Sequence, residues 1–161
     1  MKILTTQLTG LFMRLGAKEQ DIEDTARLLA QAVTGEGRIY LAAFGELEAV
    51  CSAALDGTES LTGAVRYEAG TTLTSADRVW ILAKKDEADT LAQHLAESNV
   101  PFAMLTAQSH DNDCASVFLS MGIDKGLLPG DEGQRIVIPH ALGALYVYHA
   151  VKMTIDEMLA E

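Results

Sequence analysis

Four short stretches carry side chains able to move protons or hold an anion. The first is Phe44-Gly45-Glu46, a carboxylate directly behind a glycine. The second is Lys84-Lys85, the only adjacent basic pair in the chain. The third, Thr106 to His110, supplies the hydroxyls of Thr106 and Ser109 and an imidazole. The fourth is Pro139-His140. Carboxylates and imidazoles are the usual general acids and bases near neutral pH. A lysine pair neutralises a phosphate or carboxylate, and hydroxyls orient it. Glu46, His140 and His110 are therefore the candidate catalytic groups. Phe44, Gly45, Lys84, Lys85, Thr106 and Ser109 are the candidate ligand contacts.

Each candidate also has a plainer reading. Glu46 suits the first turn of a helix, where an acid complements the dipole. Lys84 and Lys85 balance Asp86, Glu87 and Asp89. His140 follows a proline that starts a helix, so it reads either as a base in the field of that dipole or as a capping-region residue. His110 lies beside Asp111 and Asp113, but three close polar residues fall short of the four ligands a closed metal site needs, and no metal or other cofactor is expected. His94 reads as a mid-helix surface residue, and His149 as either packed or exposed.

The elements that must position these groups follow from hydrophobic period. Leu4, Leu8, Leu11, Phe12 and Leu15 recur at helical spacing, as do Ile22, Ala26, Leu29, Ala30 and Val33. The short link between them predicts an antiparallel helical hairpin over residues 1–34. The period then shortens. Runs at Arg38–Ala43, Ala64–Tyr67, Arg78–Ala83, Pro101–Thr106 and Val117–Ser120 read as buried strands, with Arg135–Ile138 also extended. Helices are predicted from Leu47 to Gly57, from an N-cap at Asp86 to Asn99, and from Pro139 to the C-terminus. Strands alternating with helices imply an α/β domain with a parallel sheet covered on both faces. Glycines between Gly122 and Gly133 mark the longest loop, a plain connection or a binding segment.

In such a sheet, ligands bind beyond the carboxyl ends of the strands, near the switch in strand order. That rule places Glu46, Lys84, Lys85, Thr106, Ser109 and His110 on the useful rim. It places Arg38 and Arg78 on the opposite one, as solvated or paired charges.

The remaining features bound the function. The chain has 161 residues, a length suited to one domain spanning 1–161. Twelve basic against 23 acidic residues give a net charge of −11, which argues against nucleic acid or an anionic membrane as the main partner. No run of about 18 apolar residues marks a membrane span. The start of the chain lacks a signal peptide's apolar stretch, and Cys51 and Cys114 read as reduced thiols, so a cytoplasmic location is expected. There is no G-x-S-x-G elbow, no Walker loop and no H-E-x-x-H. No G-x-G-x-x-G follows the first strand.

The helical hairpin, Gly37-Arg38-Ile39-Tyr40-Leu41 leading to Gly45, Ala76-Asp77-Arg78-Val79-Trp80-Ile81-Leu82, the segment from Ala115 to Leu119 and the long last helix together resemble the sugar isomerase (SIS) domain. Within that superfamily the layout is similar to an uncharacterised bacterial branch described alongside phosphoheptose isomerases. The resemblance implies a three-layer α/β/α fold with a five-stranded, flavodoxin-like parallel sheet. It implies a sugar phosphate ligand and a homo-oligomer, dimer or tetramer, built partly through the N-terminal helices. It also implies two ligand loops: one with glycine and serine after the first strand, and one rich in serine and threonine, with a glycine, after the third. Here the first loop keeps Gly45 without a serine, and the second reads Ala83-Lys84-Lys85-Asp86-Glu87. Two functions are therefore expected in competition. One is an aldose–ketose isomerase acting on a sugar phosphate; the other is a non-catalytic relative serving as a metabolite sensor or oligomeric partner.

Overall fold

The computed structural model describes residues 1–161. Two N-terminal helices, α1 (Lys2–Gly16) and α2 (Glu19–Thr34), are separated by two residues. Their apolar stripes do not simply face each other. Both pack on the last helix, α5 (His140–Ala160), with the ring of Phe12 stacked on Tyr146 at 5.1 Å. The rest of the chain alternates as the period predicts: β1 (Ile39–Ala43), α3 (Glu48–Cys51), β2 (Ala64–Arg66), β3 (Arg78–Ala83), α4 (Asp89–Glu97), β4 (Phe102–Thr106) and β5 (Val117–Ser120). Two short strands, β6 (Leu128–Pro129) and β7 (Arg135–Ile136), close a small antiparallel ribbon inside the glycine-rich loop.

The five long strands form one all-parallel sheet in the order β2-β1-β3-β4-β5. This is the flavodoxin-like order, so the architecture expected from the SIS resemblance is present. Alternate residues along each strand serve opposite faces. Ile39, Leu41, Trp80, Leu82, Ala103 and Leu105 join a core of 27 buried residues under α2, α3 and α5. Val79, Ile81, Ala83, Phe102 and Met104 join a core of only ten on the other face, where α4 is the sole helix. That asymmetry leaves the β2–β1 side of the second face without a helix over it.

Several details differ from the sequence reading, each for a local reason. Asp86 does not cap α4. Its carbonyl accepts the Asp89 N–H at 3.0 Å in a turn, and the helix begins three residues later. The helix after β1 changes at Ser52 to a wider π turn ending at Asp56. Cys51 lies there, fully buried, and burial pushes its thiol up to about 11, so it stays protonated and unreactive. Arg78 is paired, as expected of a charge on the far rim: its guanidinium donates to Gln31 Oε1 at 2.9 and 3.1 Å and to the Ser75 carbonyl at 2.8 Å.

Gly37 is required by close approach. A Cβ there would lie 1.9 Å from the Ala76 carbonyl oxygen, where Asp77 accepts the Arg38 N–H at 2.9 Å. Overpacking of that kind costs about 1–3 kcal/mol, and backbone on both sides has little room to yield. Gly37→Ala is therefore expected to lower the melting temperature by roughly 2–4 °C per kcal/mol lost. An unchanged melting curve would show that the β1 and β3 entry segments are not held this tightly.

Candidate functional site

The chain leaves β1 outward to β2, then crosses back past β1 to form β3. The segments after β1 and β3 consequently depart to opposite sides of the sheet, opening a crevice at their carboxyl ends. Phe44, Gly45, Glu46, Leu47, Lys84 and Glu87 line this crevice, which has a volume of about 350 Å³. Its floor is stiff because ladder bonds continue past the strand ends: Phe44 N–H to the Leu82 carbonyl at 2.9 Å, and Gln108 N–H to the Lys84 carbonyl at 2.8 Å.

Gly45 turns the chain with φ +59°, a left-handed value glycine adopts without strain. The following single turn of 3₁₀ helix, Gly45–Leu47, carries Glu46 toward the head of α5. There the side chain of His140 is buried, while that of Glu46 is half-exposed. His140 Nε2 lies 2.8 Å from the Ile123 carbonyl oxygen. A carbonyl only accepts, so Nε2 carries the hydrogen. Nδ1 lies 3.3 Å from Glu46 Oε1. The contact is at ion-pair distance and is not a hydrogen bond. Two groups ranked separately in the sequence are thus one acid–base pair, 94 positions apart in the chain and built by the crossing of α5 over the crevice.

Ser109 and Lys85 lie on the same rim. Ser109 donates its N–H and Oγ–H to the two oxygens of Asp124, at 2.8 and 2.5 Å. The Ser109 hydroxyl holds the Asp124 carboxyl below the ordinary carboxylate range. The Ser109 N–H helps, and the charges of Lys85 and His140 add to it. Asp124 and the Ile123 carbonyl had no sequence signal, since they lie inside an irregular glycine-bounded loop. A carboxyl lowered in the folded state stabilises above its unfolded value of about 3.9, and that contribution is lost as pH falls through the lowered value. Ser109→Ala is expected to move the Asp124 titration back upward and to start acid unfolding at higher pH. NMR titration of the Asp124 carboxyl checks this, and an unmoved midpoint contradicts it.

The other candidates are placed differently. Thr106 is fully buried and donates its hydroxyl to the Gln108 carbonyl at 3.0 Å, so it shapes the loop from inside. His110 turns away from the crevice to Asp89 at the start of α4, with Nε2 3.0 Å from Oδ1, and Asn112 donates to the same oxygen. Lys84 lines the crevice directly. Glu87 bends back so that its Oε1 accepts the Lys85 backbone N–H at 2.8 Å. A carboxylate of the protein thus takes a donor that an anionic ligand would otherwise use. A wider groove of about 610 Å³ between α2 and α5 is lined by Glu19, Glu23, Glu157 and Glu161, a charge that disfavours anions. No helix is long and apolar enough to cross a membrane.

A family model described as a domain of unknown function, DUF2529, matches residues 1–159. The chain belongs to the DUF2529 family. YwjG, an uncharacterised protein of Bacillus subtilis (strain 168), is 36% identical to this DUF2529 chain over 170 residues, covering 100% of it and 98% of YwjG. Among solved structures, this DUF2529 fold is similar to a Bacteroides fragilis NCTC 9343 protein described as a candidate phosphosugar isomerase involved in capsule formation. The TM-score is 0.59 at 14% identity, over 97% of this chain and 92% of that one. At that identity the likeness establishes a shared fold for this DUF2529 protein, and a shared fold alone does not carry activity.

Proposed function

We propose that this protein binds a sugar phosphate in the crevice between β1 and β3 and isomerises it between aldose and ketose. The observation that carries the proposal is the Glu46–His140 pair at the mouth of that crevice. Aldose–ketose exchange takes a proton from the carbon beside a carbonyl, passes through an enediol, and returns the proton to the neighbouring carbon. It requires one base that reaches the substrate and a polar setting for the enediolate. Glu46, half-exposed, is the group that reaches. His140, buried, positions Glu46. Lys84 and Lys85 neutralise the phosphate, and Phe44 and Gly45 shape the wall. The fold shared with a described phosphosugar isomerase supports the ligand class.

One observation favours the second reading, a non-catalytic relative acting as a metabolite sensor or oligomeric partner. Glu87 already holds the Lys85 N–H, an acid where the ligand needs donors. In either case we propose a cytoplasmic homo-oligomer, dimer or tetramer. Its contacts use α1, whose outer half exposes Ile3 and Met13.

A thermal-shift screen of sugar phosphates, with free sugars and inorganic phosphate as controls, tests the proposal. A ligand at 100 times its Kd stabilises by about 2.7 kcal/mol. A shift specific to a sugar phosphate selects the compound for a turnover assay. Binding without turnover favours the sensor. No shift with any sugar phosphate overturns the binding assignment.

A further inference from the structure

The cations of this acidic chain are not spread evenly. A cavity of about 180 Å³ lies between α1 and the loop 122–127, and Arg14, Lys125 and Arg135 all line it. These are three of the 12 basic residues in a chain of net charge −11. None of them lies within ion-pair distance of a carboxylate; the ion pairs of the protein belong to Arg27, Arg66, His110, His140 and Lys152. One carboxylate, Asp124, shares the lining, and both its oxygens accept from Ser109. The crevice has the opposite balance, Glu46 and Glu87 against Lys84, and no residue lines both.

Backbone donors are free at the same place. The N–H groups of Ile123 and Leu127 go to the Ala107 and Val137 carbonyls, at 2.8 and 2.9 Å. Those of Asp124, Lys125 and Gly126, between them, reach no acceptor in the protein. Gly126 is buried, and native proteins rarely leave a buried N–H without an acceptor. Arg135 is held ready. Its Nε donates to the Gly126 carbonyl at 3.1 Å and its Nη2 to the Leu127 carbonyl at 2.9 Å, which leaves Nη1 without a partner. Arg14 has only a 3.4 Å bond from Nη2 to the Met121 carbonyl.

We propose that this cavity is a second anion site, apart from the crevice, that takes a phosphate group, free or as the monoester of a small molecule, and steadies the loop when filled. A carboxylate offers one charge and two oxygens in a plane. A phosphate offers close to two charges and three acceptor oxygens around a tetrahedral centre. Three separate cations and three successive N–H groups match the phosphate. Guanidinium groups suit its oxygens, and successive backbone N–H groups form anion-binding concavities. The volume is below the roughly 300 Å³ of ordinary small-ligand pockets, so the cavity seats a phosphate group and not a whole cofactor. A long polyanion lying across the surface would be repelled by the net charge. The three cationic side chains reach the surface, so binding weakens as ionic strength rises.

The same loop holds parts of the crevice rim. The Ile123 carbonyl accepts from His140, and Asp124 accepts from Ser109. An anion joining Arg14 of α1 to Lys125 and Arg135 ties this segment down and so positions His140 and, through it, Glu46. That coupling rests on the crevice reading; the anion site does not.

Amide NMR of the full-length protein, titrated with inorganic phosphate and with glucose 6-phosphate at constant ionic strength, tests the site, with acetate as the control. The Asp124, Lys125 and Gly126 amides are expected to shift saturably with phosphate and not with acetate. Tighter binding of glucose 6-phosphate identifies an ester as the ligand, and tighter binding of inorganic phosphate the free ion. Arg14→Ala/Lys125→Ala, at two exposed positions, should weaken the binding ~10-fold or more. Lys125 makes no hydrogen bond or ion pair, so Lys125→Glu alone should weaken it too with the melting temperature little changed. Lys84→Ala/Lys85→Ala should leave it as it was. No saturable shift at the three amides overturns the anion site, whatever the crevice binds. A shift lost in Lys84→Ala/Lys85→Ala but kept in Arg14→Ala/Lys125→Ala overturns it too, and assigns the phosphate to the crevice. The coupling is read from the His140 ring resonances in the Lys84→Ala/Lys85→Ala background. They are expected to move as the amides saturate; ring resonances that stay still would overturn the coupling and leave the anion site standing.

Discussion

Glu46→Gln is expected to lower kcat for sugar-phosphate isomerisation by about 10²–10⁴-fold, the usual worth of a positioned general base, with KM little changed. The amide keeps the shape of the side chain and removes its ability to take a proton. Because Glu46 is half-exposed at the mouth of the crevice, its replacement should not disturb the core. His140 requires a different substitution. Its Nε2–H satisfies the Ile123 carbonyl, so His140→Ala would strand a buried acceptor, costing about 1–3 kcal/mol. His140→Gln offers an amide donor in its place. It is expected to reduce kcat, since the partner that positions Glu46 is gone. If Glu46→Gln retains full turnover, the acid–base role of the pair is wrong. If His140→Gln changes stability alone, with kcat and KM both untouched, His140 is only a structural anchor for the Ile123 carbonyl.

The second large effect runs in the direction of gain. Glu87→Ala is expected to tighten sugar-phosphate binding by about tenfold, or roughly 1.4 kcal/mol. The substitution frees the Lys85 N–H and removes a negative charge from the crevice lining at once. Lys84→Ala/Lys85→Ala should act oppositely, weakening the same ligand by at least as much. Calorimetry on the two variants reads both. A Glu87→Ala variant that binds no better, beside a lysine double variant that binds no worse, would remove the anion site from this rim. Loss of the competition also bears on the sensor reading. A protein whose own carboxylate guards its anion seat responds only to ligand concentrations high enough to displace it.

These predictions rest on features that differ in how far the sequence disclosed them. Hydrophobic period was sufficient for the layer plan. Val79–Ala83 and Phe102–Thr106 are buried on both faces, and such runs are stable only in a sheet covered from both sides. The rim rule, applied to strand direction alone, also separated Glu46, Lys84, Lys85 and Ser109 from Arg38 and Arg78. Local sequence was enough there because a strand's end is a local property.

What only the tertiary structure decided is which of these groups meet. Glu46 and His140 belong to elements separated by the whole of β2 to β5, and their 3.3 Å contact exists because α5 returns across the crevice. His110 has the same chemistry and the same rim, yet Asp89 turns it away. Glu87 was legible as an opposing charge but not as the acceptor of the Lys85 N–H. Asp124 and the Ile123 carbonyl had no periodic pattern at all, because irregular loops are placed by the contacts they make. The cationic cavity joins Arg14 of α1 to Lys125 and Arg135, which no single segment encodes. Composition, period and turn chemistry are properties of neighbouring residues, so the sequence alone determined the elements, their layers and the rim. Proton pairs, seats for anions and cavities are properties of distances between remote residues, and those are set only when the two cores have packed.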